Sequence, residues 1–130
     1  MITILTPTYN RRYILGNLYN SLKRQTCYNF EWVIIDDGSE DDTESMVREW
    51  IASSNNFPIR YYYKENGGQH TALNKGIQIA EGFMIMIVDS DDYLADDAVG
   101  RILYWEETIK KLDGFAGVSG LRAHFDGGGQ

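Results

Sequence analysis

Two short segments contain most of the residues in this sequence that could do chemistry. Residues 36–44 and 89–97 hold six and five of the 19 acidic side chains, and the rest of the chain has 12 basic residues against 8 acidic ones. Carboxylates this close together repel each other unless a cation or a set of hydrogen-bond donors compensates them. The acidity therefore indicates two local sites rather than a generally acidic surface.

The second segment, within "IVDSDDYLADD", has the spacing of a metal site. Asp89 and Asp91 directly follow an apolar run and can aim both carboxylates at one point. Such hard oxygen donors suit Mg²⁺ or Mn²⁺, which leave positions open for substrate phosphates and water. A calcium loop beginning at Asp89 is excluded, because its sixth and twelfth positions lack the required glycine and glutamate. We assign Asp96 and Asp97 to the start of the following helix, and Asp92 stays unassigned.

The first segment, within "IIDDGSEDDT", closes another apolar run with two carboxylates. Asp36 and Asp37 end this run, and Gly38 then permits a tight turn. One of these carboxylates could accept a hydrogen bond from a base N–H or a ribose hydroxyl. The alternative for Asp37 is an Asx-turn with helix capping, in which Ser39 and Asp42 resemble a capping box. Both interpretations stay open on this motif alone.

A pair of glycines in "KENGGQHTALNKG" precedes a predicted helix. They permit close approach of a ligand to the backbone and leave helix N–H groups for an anion. The spacing excludes both a P-loop and the G-x-G-x-x-G fingerprint. By itself the motif favours a loop that needs positive φ, with His70 as a polar residue at the helix start and Lys75 as a solvated side chain. Phosphate contact by either residue is the alternative.

The apolar pattern along the chain alternates between strands and helices. Strands are predicted at "MITILTP", "FEWVIID", "IRYYYKE" and "FMIMIVD", and helices at "RRYILGNLYNSLKRQ", "SEDDTESMVREWIASS", "QHTALNKGIQIAE" and "DDAVGRILYWEETIKKL". A weak fifth strand is predicted in the tail. This order predicts an α/β fold with a parallel sheet and helices on both faces. Ligands bind such sheets outside the carboxyl ends of the strands, where "PTYN", "DDGS", "ENGG" and "DSDD" all fall.

Composition limits the class of protein. The 130 residues suffice for one domain, and no apolar run approaches the roughly 20 residues of a membrane-spanning helix. A net charge of −7 argues against a nucleic-acid-binding surface. The single cysteine, Cys27, excludes an intramolecular disulfide, fits a reducing cytosol and has no metal-ligand spacing with His70 or His124.

Taken in order, "PTYN", "DDGSEDDT", "NGGQHTALNKG" and "DSDD" resemble the inverting family 2 glycosyltransferases of the GT-A fold, over nearly all of residues 2–122. The resemblance implies a Rossmann-like, three-layer α/β/α nucleotide-diphospho-sugar transferase with a mainly parallel central sheet. Residues 1–130 would form a single domain, truncated at the C-terminus, that carries only the donor-binding half. It further implies a UDP-sugar as the favoured donor, Mn²⁺ or Mg²⁺ as cofactor, and a glycan or lipid-linked acceptor. The full-length enzyme would make polysaccharide or cell-surface glycan in the cytoplasm or at the inner face of the membrane.

The resemblance also assigns residues to the donor site. The nucleotide sugar would contact Pro7, Thr8, Tyr9, Asp36, Asp37, Asn66, Gly67, Asn74, Lys75, Asp89 and Ser90, and the metal would bind Asp91 and Asp89. Within this set, the tripeptide "PTY" would lie beside the base, Asp37 would face it, and Asp36 would support the turn. Asp91 would coordinate the cation that bridges the diphosphate, with Asp89 near the ribose or the metal.

Two departures from the family pattern stand out. Leu73 replaces an arginine that many members carry, which puts one donor-site contact in question. The family's catalytic base is an Asp or Glu in the acceptor-binding half, so no residue here is assigned that role, and we expect these 130 residues alone to be inactive in transfer. Self-association through the surface that the other half would cover is a hypothesis.

Two other functions remain as alternatives. One is a non-catalytic nucleotide-binding module, which the absence of an assigned base favours. The other is a Mg²⁺-binding receiver domain of a signalling protein, which also has a doubly wound sheet and clustered aspartates. The receiver is disfavoured because its acid pair follows the first strand, whereas here the first strand ends in "PTYN" and the acids follow the second and fourth strands.

Overall fold

A computed structural model describes residues 1–113 and 122–125. Strands and helices alternate through this part of the chain, and the predicted α/β fold is confirmed, including the weak fifth strand. The elements are β1 (Ile2–Thr8), α1 (Arg12–Lys23), β2 (Phe30–Asp36), α2 (Thr43–Ala52), β3 (Ile59–Tyr63), α3 (Gln69–Ile79), β4 (Met84–Val88), α4 (Ala98–Asp113) and β5 (Arg122–Phe125). No helix in the described ranges is long and apolar enough to cross a membrane.

The five strands form one sheet in the order β3-β2-β1-β4-β5, and every neighbouring pair is parallel. All residues of β1, β2 and β4 are buried, as expected for strands covered on both faces, whereas the edge strand β3 is partly exposed. The chain runs outward from β1 in one direction through β2 and β3, and in the other through β4 and β5. The strand order therefore reverses between β1 and β4, and a ligand crevice is expected at that point.

Side chains from the two faces of the sheet form two separate cores. One face packs against α1, α2 and α4 around Trp32, whose ring is stacked near that of Trp50 at 5.8 Å between centroids. The other face packs against α3 through Leu5, Val33, Ile35, Ala72, Ile85 and Ile87. The result is the predicted three-layer arrangement, since helices cover both sides of one sheet.

A buried carboxylate closes the amino end of the sheet. The Glu31 side chain is only 2% exposed, and it accepts hydrogen bonds from Thr3 Oγ1 at 2.6 Å, Arg60 Nε at 3.1 Å and the Glu81 amide at 2.7 Å. These donors come from β1, β3 and the segment before β4. A buried charge that is fully hydrogen-bonded in this way holds neighbouring segments together, so this acidic residue has a structural role.

The predicted capping box at α2 is wrong. Ser39 Oγ accepts a hydrogen bond from the Asn10 amide at 2.8 Å, because the loop after β1 lies against the loop after β2. Asp42, with φ of 68°, precedes the first helical residue and makes no side-chain capping bond within the described part of the chain. Residues distant in sequence therefore decide the geometry of this helix start.

Asp41 links the starts of α1 and α2 instead. Its carboxylate accepts hydrogen bonds from the Arg12 amide at 2.9 Å and the Thr43 amide at 3.3 Å, and also from the Thr43 hydroxyl. Burial opposes ionisation of Asp41, but the Thr43 hydroxyl and the two amides outweigh it and hold the pKa below its usual value.

We expect Asp41→Ala to lower the free energy of unfolding at pH 7 by about 1–2 kcal/mol, as loss of a helix cap does. Because the folded-state pKa is below the unfolded one, this contribution is complete above the unfolded pKa and disappears as pH falls through the folded pKa. Urea unfolding at pH 7 and near pH 3 measures both effects. Glu40→Ala, at an exposed neighbouring acid, is the control, and an equal loss there would contradict the assignment.

Gly82, just before β4, lies directly against β1. A Cβ at this position would be 2.5 Å from the Thr3 nitrogen and 2.6 Å from the Ile2 carbonyl carbon, whereas no described atom lies within 4 Å of a Cβ at Gly16. Gly82→Ala should lower the free energy of unfolding by about 1–3 kcal/mol, since the backbone of β1 must shift. Gly16→Ala, inside α1, should raise it by about 0.5–1 kcal/mol. Denaturant titration of both variants tests this difference in sign.

Candidate functional site

A cavity of about 250 Å³ opens at the carboxyl ends of the strands, where the strand order reverses. Seven residues assigned from the sequence line it, together with two that were not assigned. The lining residues are Pro7, Thr8, Tyr9, Arg11, Asp37, Gln69, Asp89, Ser90 and Asp91. Residues from the ends of β1, β2 and β4 and from the start of α3 thus meet in one place.

The end of β1 supplies one wall of the cavity. Thr8 is only 3% exposed, and within residues 1–113 and 122–125 its hydroxyl oxygen has no hydrogen-bond partner. Tyr9 is 46% exposed, so its ring is available at the cavity surface. A buried hydroxyl without a partner costs about 1–3 kcal/mol, which makes Thr8 a group expected to bind something that enters the cavity.

The end of β4 supplies a cluster of carboxylates. Asp89, Asp91 and Asp92 each place one carboxylate oxygen within 4.8 Å of the others. The Asp92 amide donates to the Asp89 carbonyl at 3.1 Å, and this turn folds the segment back on itself. Asp92, left unassigned from the sequence, therefore joins the two predicted ligands. Three hard oxygen donors at this separation fit Mg²⁺ or Mn²⁺.

The Asp37 carboxylate is surrounded by donors. Oδ1 accepts hydrogen bonds from Lys64 Nζ at 2.7 Å and the Gly67 amide at 3.0 Å, while Oδ2 accepts from the Gly68 amide at 2.9 Å and Asn66 Nδ2 at 3.3 Å. Burial raises the pKa of Asp37, but Lys64 and the two glycine amides reverse this effect and lower it below the usual value. Asp37 is therefore ionised and tied to the loop before α3.

Asp36 lies behind the cavity rather than in it. It is fully buried, Oδ1 accepts a hydrogen bond from the Ser39 amide at 2.8 Å, and Oδ2 accepts one from the Tyr61 hydroxyl. Burial and this bond to Asp36 raise the pKa of Tyr61, so the phenol stays protonated. These contacts hold the turn after β2, which is the role expected for Asp36.

Besides Asp36, four of the assigned residues do not line the cavity. Asn66 and Gly67 reach it only through their hydrogen bonds to Asp37. Asn74 is exposed on α3, and Lys75 places its ammonium 4.6 Å from the centre of the Tyr62 ring. This cation–π contact turns Lys75 toward β3, so the structure does not bring Asn74 or Lys75 to the cavity.

Two lining residues, Arg11 and Gln69, were missed from the sequence. Arg11 directly precedes α1, and Gln69 is the first residue of α3. Both helices begin at the carboxyl edge of the sheet, so their first residues face the ligand crevice. Their positions next to "PTYN" and "NGG" were the signal that could have identified them.

The sequence matches the model of the glycosyl transferase family 2 over residues 3–113. A relative from Rickettsia conorii, an uncharacterized glycosyltransferase, is 34% identical over 113 residues, which is 87% of this chain and 18% of the relative. Chondroitin synthase of Pasteurella multocida is 35% identical over 76% of this chain and 10% of its own length. This chain thus spans only a minor part of the curated relatives that it matches.

The fold is similar to that of S. aureus TarS 1–349 in complex with UDP-GlcNAc, with a TM-score of 0.76 and 28% identity over 82% of this chain and 31% of that one. A mannosyltransferase from Pyrobaculum calidifontis, in complex with GDP-Man and Mn²⁺, gives a TM-score of 0.74 and 27% identity over 80% of this chain and 31% of that one. The family model covers most of this sequence, and both structures have a similar fold over 82% and 80% of it. The chain belongs to glycosyltransferase family 2.

Proposed function

We propose that this chain is the donor-binding half of a glycosyltransferase that uses a nucleotide-diphospho-sugar, with a UDP-sugar favoured. The observation that carries the proposal is one cavity lined both by Thr8, whose buried hydroxyl has no partner among the described residues, and by the carboxylates of Asp89 and Asp91. A nucleoside diphosphate suits both features, since its base offers hydrogen-bonding groups and its diphosphate requires a cation beside carboxylates. The complexes of TarS with UDP-GlcNAc and of the Pyrobaculum enzyme with GDP-Man support this choice of ligand class.

In this proposal the nucleoside lies against the end of β1. The Thr8 hydroxyl, which has no partner among the described residues, forms a hydrogen bond to the base or ribose. The exposed ring of Tyr9 packs against a planar group. Pro7 shapes the same wall. Asp37 lines the cavity as an ionised carboxylate that is fixed to the loop before α3, and Asp36 holds the turn that positions it.

Asp91 and Asp89, with Asp92 beside them, are proposed to hold Mn²⁺ or Mg²⁺. Their oxygens lie close enough together to share one ion, and Ser90 between them is buried at the cavity wall. When bound, the ion would act as a Lewis acid that neutralises charge on the departing nucleotide diphosphate. The Mn²⁺ complex of the Pyrobaculum enzyme supports this proposal.

The proposed reaction is a single displacement with inversion. A hydroxyl of a glycan or lipid-linked acceptor loses its proton to a base and attacks the anomeric carbon, while the bond from that carbon to the diphosphate oxygen breaks on the opposite side. We assign no base within these 130 residues, and the proposal places it in an acceptor-binding half. The role of this chain is to bind and orient the donor for that attack.

Thr8→Val tests the nucleoside end. We expect UDP to bind about 3- to 10-fold more weakly, the effect of losing one neutral hydrogen bond, while the free energy of unfolding stays equal or rises because a buried unpaired hydroxyl has been removed. Thr6→Val is the control, and for this variant the expected change in the free energy of unfolding has the opposite sign. Thr6 Oγ1 accepts a hydrogen bond from the buried Trp32 Nε1 at 2.9 Å, so its loss should destabilise the fold. Calorimetric titration and urea unfolding give the two quantities, and unchanged UDP affinity in Thr8→Val would contradict the proposal.

Asp91→Asn tests the metal end. UDP should bind the wild-type protein more tightly with Mn²⁺ than without it, and Asp91→Asn should lose most of that gain, about tenfold or more. Asp97→Asn removes the same charge at an exposed position, where the carboxylate lies 3.4 Å from Arg101 Nε, and should bind UDP like the wild type. Titration calorimetry with UDP, CDP and GDP, each with and without Mn²⁺, provides the measurement. A folded protein that binds none of them would refute the donor-site assignment.

A further inference from the structure

The Lys64 ammonium makes three contacts beside the cavity. It donates to Asp37 Oδ1 at 2.7 Å, to the Glu65 carbonyl at 2.6 Å and to Thr71 Oγ1 at 3.0 Å. The Lys64 side chain is 19% exposed and the Asp37 side chain 7% exposed, so water screens this ion pair only weakly. Because an ammonium has three N–H donors, every donor of Lys64 is used inside the protein.

These contacts join three segments that meet at the cavity. Asp37 follows β2, Glu65 lies in the loop after β3, and Thr71 is in the first turn of α3. The Thr71 hydroxyl in turn donates to the Gly68 carbonyl at 2.7 Å. Lys64 is not among the residues that line the cavity. Asp37, which accepts hydrogen bonds from the loop before α3, and Gln69, which follows that loop, both line it. Lys64 therefore acts on the cavity wall through its partners.

The four donors around Asp37 account for its acceptor capacity. A carboxylate has about four lone-pair sites, and Lys64, Asn66 and the amides of Gly67 and Gly68 provide four hydrogen bonds. Only Lys64 among them carries a charge. Without it, a buried carboxylate would keep neutral donors alone, and the loop would lose the contact that fixes both the carboxylate and the start of α3. Gly68, with φ of 102°, adopts a backbone conformation that other residues rarely do, and its amide is one of these four donors.

We propose that Lys64 is a positioning residue of the donor site. Lys64 does not contact the nucleotide, but it holds the Asp37 carboxylate and the Asn66–Gly68 loop in the shape that receives the nucleotide. This inference rests on the proposed function for its binding consequence. The geometry of the loop in the ligand-free protein does not depend on that function. The two parts can therefore be tested separately.

Lys64→Met keeps the aliphatic stem and removes the ammonium. In the ligand-free protein, hydrogen exchange at the Gly67 and Gly68 amides should become at least about tenfold faster, because both amides donate to Asp37. In the presence of Mn²⁺, UDP should bind about tenfold more weakly, the size of effect seen when a supporting residue is removed from a site. Thr71→Val removes one contact of the ammonium and should shift both quantities in the same direction by a smaller factor.

Lys23→Met is the matched control. Lys23 lies at the end of α1, and its ammonium is 4.7 Å from the centre of the Tyr19 ring. Since α1 starts at the carboxyl edge of the sheet, its end lies at the other edge, away from the cavity. This variant should change neither glycine exchange nor UDP affinity.

A carboxyl NMR titration distinguishes positioning from a general loss of stability. The Asp37 carboxyl should titrate at higher pH in Lys64→Met than in the wild type, because the ammonium that favours its charged form has been removed. Thr71→Val serves if Lys64→Met fails to fold. The inference is overturned if a folded Lys64→Met variant shows unchanged hydrogen exchange at the Gly67 and Gly68 amides. It is also overturned if exchange at these amides becomes faster but the affinity for UDP stays the same. If the wild type binds no UDP, the proposed function fails and the exchange data alone decide whether Lys64 holds the loop.

Discussion

The parallel pairing of β1 with both β2 and β4 is the constraint on which the cavity depends. Because all three strands run in the same direction, their last residues reach one edge of the sheet, and Thr8 is in register with Asp36. The pairing continues past the strands, since the Asp37 amide donates to the Thr8 carbonyl and the Lys64 amide donates to the Asp36 carbonyl, both at 2.9 Å. Residues far apart in sequence thus become neighbours through backbone bonds alone.

Three of the acidic sites in the fold show that negative charge is compensated in different ways. Glu31 is compensated by Arg60 at the amino end of the sheet and has no part in the cavity. Asp37 is compensated by Lys64, but it also lines the cavity, so its structural and functional roles coincide. In the cluster that includes Asp91, three carboxylates lie close together at the surface of the crevice, the arrangement for which a dication is the natural counter-charge. The local environment of each carboxylate, rather than its negative charge, determines which of these roles it has.

The fold was largely predictable because its signals are local. Continuous apolar runs, helical spacing and glycine breaks specify the alternation, and alternation implies a parallel sheet whose carboxyl edge carries the motifs. Expectation and structure differ where a distant residue decides the geometry. Ser39 was expected to cap α2, but its hydroxyl oxygen accepts a hydrogen bond from the Asn10 amide. Lys75 was assigned to the donor site, and in the ligand-free structure its ammonium packs on the Tyr62 ring. Arg11 carries no periodic signal and joins the cavity only because the sheet places the start of α1 there.

Glu31 and its hydrogen-bond donors lie at the opposite edge of the sheet from the cavity, and this separation has a consequence for how such a domain can change over evolutionary time. The ion pair between the buried Glu31 carboxylate and Arg60 stabilises the amino edge of the sheet, and the residues that line the cavity are all found at the carboxyl edge. Mutations at positions such as Tyr9 or Gln69 therefore leave the amino-edge network intact, and effects of well-separated residues on stability are close to additive. Substitutions at the carboxyl edge can therefore change the ligand preference, while the contacts at the amino edge keep the domain folded.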